Sequence, residues 1–152
     1  MPKMNCLSLS EKLHCPVTFF DEIPSTNDYL KETARTDTKK CMLAIADRQT
    51  RGKGRLGKTF YSPAGAGIYM SYLFYPEFEA KDGYLLTIAA AVAVVKALKT
   101  LYGVSAAIKW VNDIYVEGKK LCGILSESAV TDTGRLAYAV VGIGINIQKT
   151  AY

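Results

Sequence analysis

The chain has 152 residues, 49% of them hydrophobic and 22% charged, with 19 basic against 14 acidic side chains for a net charge of +5. Those proportions exclude a disordered or low-complexity chain, and the length suits a single domain, 1–152, with its own core. Four cysteines (Cys6, Cys15, Cys41, Cys122) lie scattered without a C-x-x-C pair and His14 is the single histidine, which argues against a zinc site.

Residues 1–14 contain no apolar core of signal-peptide length, and the scattered cysteines read as reduced thiols of a cytoplasmic protein. Val17–Phe20 reads as a strand. Ser25-Thr26-Asn27-Asp28 follows Pro24 and predicts a helix start, with Ser25 or Thr26 as N-cap. That helix runs to about Arg35, and Asp37–Lys40 forms a polar connector. Strands are expected at 41–47 and 67–75, then a turn over Pro76–Gly83 and a core helix over 84–102 closed by Gly103. The apolar run Leu85–Val95 is well short of the roughly 20 residues of a membrane span. Ala107–Trp110, Asp113–Val116, Lys119–Ser128 and Leu136–Ile147 read as strands, with turns at Glu117-Gly118 and Thr131–Gly134. Two or three helices against six or seven strands, consecutive in the second half, predict an α+β fold with a mixed, largely antiparallel sheet.

Between the second and third strands lies the most unusual segment. Arg48–Lys58 holds five cations (Arg48, Arg51, Lys53, Arg55, Lys58) and three glycines (Gly52, Gly54, Gly57) with no acid. Glycines let a backbone bring its N–H groups close to a ligand, and clustered cations repel one another unless an anion lies between them. The pairing predicts a loop that closes over phosphate. A solvated basic loop is the plainer account, and the glycine spacing weighs against it.

Gly52–Thr59 matches a P-loop literally and Gly52–Gly57 a dinucleotide fingerprint. Both need a helix directly after the loop to hold the phosphate. Instead Ser62, Pro63, Gly65 and Gly67 interrupt the chain, and Ile68–Tyr75 reads as a strand. A kinase reading fails because no H-R-D or D-F-G sequence is present.

Four segments in order then carry a resemblance: Ser25-Thr26-Asn27; the R-G-K-G-R-x-G loop; Lys109-Trp110-Val111-Asn112-Asp113 with Lys120-Leu121-Cys122-Gly123-Ile124-Leu125; and Gly142-Ile143-Gly144-Ile145-Asn146. Over about residues 17–148 the chain resembles the catalytic domain of biotin protein ligases. The resemblance implies a fold similar to class II aminoacyl-tRNA synthetases. It also implies the activation of biotin with ATP, accompanied by Mg²⁺, to biotinyl-5′-AMP and pyrophosphate. Transfer to a lysine of a biotin carboxyl carrier domain of acetyl-CoA carboxylase follows. The family usually has Arg or a similar cation where Lys53 stands and Pro where Val111 stands. Only 24 residues precede Ser25, so the DNA-binding domain of repressor-type members is expected to be missing, and the chain stops where the family continues into a small β-barrel. The expected partners are therefore the carrier domain, with no sequence-specific DNA and no membrane; a homodimer is compatible.

The same resemblance implies roles for individual residues. Lys53, Gly54 and Arg55 belong to the loop over the ligand, Gly52 gives backbone approach, and Arg55 contacts the phosphates. Lys109 lies near the biotin carboxylate and the new acyl-phosphate, although a solvent-facing strand lysine fits the same periodicity. Arg55 and Lys109 are the catalytic candidates. Ser25, Thr26, Asn27 and Gln49 offer the neutral donors and acceptors a ureido ring requires, with helix capping a competing account of the first two. Asn146 is assigned to the adenine edge and Phe60 to stacking on adenine, with a strand end and a core aromatic as alternatives. Asn112 and Lys120 are further candidates to line the site. Cys122, in an apolar strand, is not a nucleophile, and no metal ligands are read. Lipoate or octanoate ligases share the fold and reaction logic, but their usual R-R-x-S-G-G-G-type loop is absent. A P-loop protein and a non-catalytic biotin-binding module remain the other readings.

Overall fold

The computed structural model describes residues 6–36 and 40–148; residues 37–39 of the expected polar connector lie outside these. Among them, three α-helices and seven strands follow in the order α1 (Cys6–Leu13), β1 (Val17–Ile23), α2 (Thr26–Thr36), β2 (Met42–Gln49), β3 (Gly67–Phe74), α3 (Tyr84–Tyr102), β4 (Ala107–Lys109), β5 (Asp113–Val116), β6 (Lys119–Val130) and β7 (Leu136–Asn146). The strands form one sheet in the order β1-β2-β3-β7-β6-β5-β4. Only β1 and β2 pair in parallel, joined through α2, and every other pair is antiparallel. The α+β expectation holds.

Layering follows from strand alternation. Val140 packs with Leu30 of α2, Ala44 and Leu73, while its neighbour Val141 packs with Ala91 and Val94 of α3, Ile114, Cys122 and Ile124. Adjacent strand residues point to opposite faces, so α2 and α3 cover opposite sides of the sheet. Leu43 and Ile45, alternating with Ala44, pack with Cys15 and Leu9, which puts α1 on the same side as α3.

Helix α2 starts where the local signals put it. Ser25 Oγ accepts from Asp28 N at 3.4 Å, and Leu30 is fully buried. Tyr29 meets Phe20 edge-on at 4.9 Å. Helix α1 is not among the expected elements; it has no buried residue and no acid in its first turn, so neither periodicity nor capping marks it. Helix α3 ends at Gly103 in the left-handed conformation, as expected, but only Ala91 and Val94 are buried. Together with its leading turn it is long and apolar enough to cross a membrane; here it lies along the sheet, leaving Leu85, Val92, Leu101 and Tyr102 exposed.

Candidate active site

A cleft of about 280 Å³ opens on the α2 face of the sheet, beyond the start of the helix. Ser71 shares the face of Leu73, and Gly142 and Gly144 share that of Val140, by strand alternation. The floor is smooth because Gly123, Gly142 and Gly144 supply no side chains. A methyl group at Gly142 would collide with the Asn27 amide, and one at Gly144 with the Phe60 ring.

The basic segment roofs this space as a hairpin. Phe60 N donates to Gly52 O at 2.9 Å and Gly54 N to Lys58 O at 2.7 Å, while Lys53 bridges Thr59. At the tip, Arg55–Gly57 forms a 3-10 turn in which Leu56 takes φ 56° and is 91% exposed. Gly52 is required because a Cβ there would strike the Phe60 carbonyl and Ser62 Oγ. The chain then enters β3 rather than a helix, so the phosphate geometry of a P-loop is not formed.

One end of the cleft is neutral and polar. Ser25, Thr26, Asn27 and Ser71 are all buried, so their polar atoms require partners. Thr26 N donates to Gln49 Oε1 at 2.9 Å, Thr26 Oγ1 lies 2.7 Å from Ser71 Oγ, and Ser71 Oγ donates to Asn27 Oδ1. Asn27 Nδ2 donates to Glu127 Oε2 at 2.8 Å and to Leu125 O at 3.3 Å. Gln49 Nε2 donates to Ser62 Oγ at 3.1 Å, which ties the base of the hairpin to the same network.

The other end is cationic. Lys120 Nζ pairs with Asp113 at 2.8 Å, while Lys53 Nζ reaches back to Asp28, beside the neutral row, at 2.7 Å. Arg55 Nη1 donates to Asn112 Oδ1 at 3.1 Å, and Lys58 completes the rim. Burial pushes the Asp28 carboxyl up, but hydrogen bonds from Lys53 and Lys31 outweigh it and hold the group below its ordinary value. Lys31, between Asp28 and Glu127, is shifted up: burial opposes its charge, and hydrogen bonds to both carboxylates prevail. Burial pushes the Cys122 thiol up to about 12, which leaves no thiolate for attack.

Ser25, Thr26, Asn27, Gln49, Lys53, Gly54, Arg55 and Phe60 all line the cleft, as do Asn112 and Lys120. Gly52 sits behind the lining at the hairpin base. Asn146 lies on the cleft face of β7, two residues beyond Gly144, outside the lining. Lys109 is on edge strand β4, its Nζ 5.4 Å from the centre of the Tyr115 ring; its rung partner Asp113 does line the cleft. Ser71, Asp28 and Glu127 were not among the candidates, and Lys58 was read only as one of the loop's five cations. Ser71 carries a signal, being the single polar side chain in the β3 run besides the tyrosines; Glu127 looks locally like any solvent-facing strand carboxylate.

A mixed sheet with a helical crossover and a basic hairpin over a polar cleft defines a ligand-binding α+β domain. Biotin protein ligase from Aquifex aeolicus in complex with biotin and ATP has the same fold, with a TM-score of 0.71 and 34% identity over 90% of this chain and 54% of that one. The Leishmania major enzyme in complex with biotinyl-5-AMP superposes with a TM-score of 0.70 at 28% identity, covering 91% and 60%. The chain belongs to the biotin/lipoate A/B protein ligase family, whose profile matches residues 19–146. Among curated relatives, the bifunctional ligase/repressor BirA of Bacillus spizizenii is 38% identical over 129 residues. That alignment takes in 85% of this chain but 39% of the relative, so the chain spans about two-fifths of such a protein's length.

Proposed function

We propose that this domain binds biotin and ATP in the cleft, forms biotinyl-5′-AMP, and passes the biotinyl group to a lysine of a biotin carboxyl carrier protein. The observation that carries this reading is the two-ended cleft: a buried neutral row from Thr26 to Asn27 at one end, and Arg55 and Lys120, beside Asn112 and Asp113, at the other. Biotin has a matching polarity, with a ureido ring at one end and a carboxylate at the other. A dithiolane ring offers no N–H to the oxygens of this row, which favours biotin over lipoate.

In the first half-reaction a biotin carboxylate oxygen bonds to the α-phosphorus and the bond to the pyrophosphate oxygen breaks. Two anions must approach for this, and the rim cations reduce their repulsion and the charge that builds on the phosphate. Arg55 turns from Asn112 to the α-phosphate, and Lys109 turns from Tyr115 toward the acyl-phosphate across Asp113. Phe60 and Asn146 take the adenine. Mg²⁺ enters on the nucleotide phosphates. In the second half-reaction the carrier lysine amine attacks the acyl carbon and AMP leaves. The chemistry belongs in the cytoplasm and needs neither DNA nor a membrane.

The test is incubation of the chain with ATP and either biotin or lipoate, followed by measurement of pyrophosphate and acyl-adenylate. Biotin-dependent pyrophosphate release is the expected result. Release with lipoate alone would transfer the site to the sister activity, and binding of biotin without release would make this a binding module.

A further inference from the structure

The hydroxyl row under the cleft can be wired in two senses. Thr26 has one hydroxyl proton and two acceptors within reach, Ser71 Oγ at 2.7 Å and Gln49 Oε1 at 3.1 Å. Ser71 also has one proton, with Thr26 on one side and Asn27 Oδ1 on the other. An asparagine amide turned over exchanges its donor and acceptor ends with little change of shape, so the row alone does not fix its own direction.

Glu127 does. A carboxylate cannot donate, so Glu127 Oε2, at 2.8 Å, demands the Asn27 NH₂ group; the Leu125 carbonyl, at 3.3 Å, demands the same. Lys31 Nζ donates to the other oxygen of Glu127, Oε1, which leaves Oε2 to Asn27. With Asn27 so turned, its Oδ1 takes the Ser71 proton and Ser71 takes that of Thr26. Gln49 Oε1 is left to the Thr26 backbone N–H at 2.9 Å.

We infer that Glu127, although it does not line the cleft, is a positioning residue that sets ligand specificity: through Asn27 it turns the oxygens of Thr26, Ser71 and Asn27 into a row of acceptors with no proton to spare. Such a row accepts N–H groups and rejects a ligand that presents only lone pairs. The inference rests on the biotin reading above, in which the complementary groups are the ureido N–H donors. A Glu127 that merely tied α2 to β6 through Lys31 would weaken all ligands alike when removed.

Calorimetry on the whole chain separates these accounts. The ligands are biotin and its two carbamate analogues, in each of which one ureido N–H is replaced by oxygen. The proteins are wild type, Glu127→Gln and Glu127→Ala. Wild type should bind biotin and reject at least one carbamate by about tenfold or more, the equivalent of losing one buried hydrogen bond. Glu127→Gln, in which Lys31 claims the amide oxygen and the NH₂ faces Asn27, should shrink that ratio to within about threefold, whatever happens to biotin affinity itself; Glu127→Ala, which leaves Asn27 the 3.3 Å Leu125 carbonyl alone, should shrink it less. An unchanged ratio in both variants, or no discrimination by wild type (a result that needs no variant to fold), overturns the inference. Failure of wild type to bind biotin would instead overturn the reading of the site.

Discussion

Arg55 and Lys109 are charged groups resting on neutral partners, an amide oxygen and an aromatic face. Neither contact is strong: a cation over an exposed ring contributes only about 0.5–1 kcal/mol. Arg55→Ala and Lys109→Ala should therefore leave thermal stability nearly unchanged and cut adenylate formation by about 10²-fold, the usual scale for removing one transition-state donor. Wild-type turnover at saturating biotin and ATP in a pyrophosphate assay would remove that residue from the mechanism. Gly142→Ala probes the opposite end. The added methyl runs into the Asn27 amide, and overpacking of about 1–3 kcal/mol should appear as roughly tenfold weaker biotin binding by calorimetry. Unaltered affinity would mean that Asn27 is not held as described. At this scale the sequence is most legible where chemistry is unusual, as in the basic glycines and Ser-Thr-Asn. Glu127 was illegible because its significance lies in a partner 100 residues away.

The hairpin over residues 49–59 combines two opposing features. Backbone bonds clasp its arms, while Lys53 leans on Asp28, Arg55 on Asn112, and its tip exposes Leu56. Hydrogen exchange of this segment should slow markedly when a biotinyl-adenylate analogue is bound, as phosphate draws the cations together. Equal protection with and without the analogue would show that the hairpin is not a closing element. Its tether to α2 has a defined pH dependence. The folded pKa of Asp28 is depressed, so the Lys53 pairing contributes fully above the ordinary value of 3.8 and is lost as pH falls through the lower folded value. Helix α2 is held differently, by Leu30 buried against Ala44, Leu73 and Val140. Leu30→Ala should cost about 2–5 kcal/mol in urea unfolding, and a loss near zero would contradict that packing. The beginning of α2 could be read from Ser25 because capping is local. Helix α1 could not, since its one packed apolar residue, Leu9, finds its partners only in the folded sheet.

At the level of the molecule, ligand binding and folding are linked. A ligand that binds the folded chain alone at 100 times its Kd stabilises it by about 2.7 kcal/mol. For a domain of this size that should raise the melting temperature by roughly 5–10 °C. A biotin titration followed by thermal unfolding checks this, and a flat response would mean the cleft does not take biotin. The α+β class was legible from the order of strand and helix patterns. The placement of β7 between β3 and β6 was not, because register between segments some 70 residues apart leaves no local trace. Only the fold shows that Gly142 and Gly144, far along the chain, form the floor beneath Thr26 and Phe60.

The single parallel pair has an effect on what the protein can recognise. Because β1 and β2 run the same way, their last residues, Ile23 and Gln49, share a rung. The helix start that follows one and the hairpin that follows the other must emerge together. Were β2 reversed in the same position, Gln49 would fall beside Val17, displaced by roughly 20 Å at about 3.3 Å per residue. All the side chains would survive that change, and the meeting of Thr26 with Gln49 would not. Chain direction thus acts as a recognition determinant in its own right: a re-threaded sheet of identical composition would keep a helix start and a basic hairpin, with nothing enclosed between them.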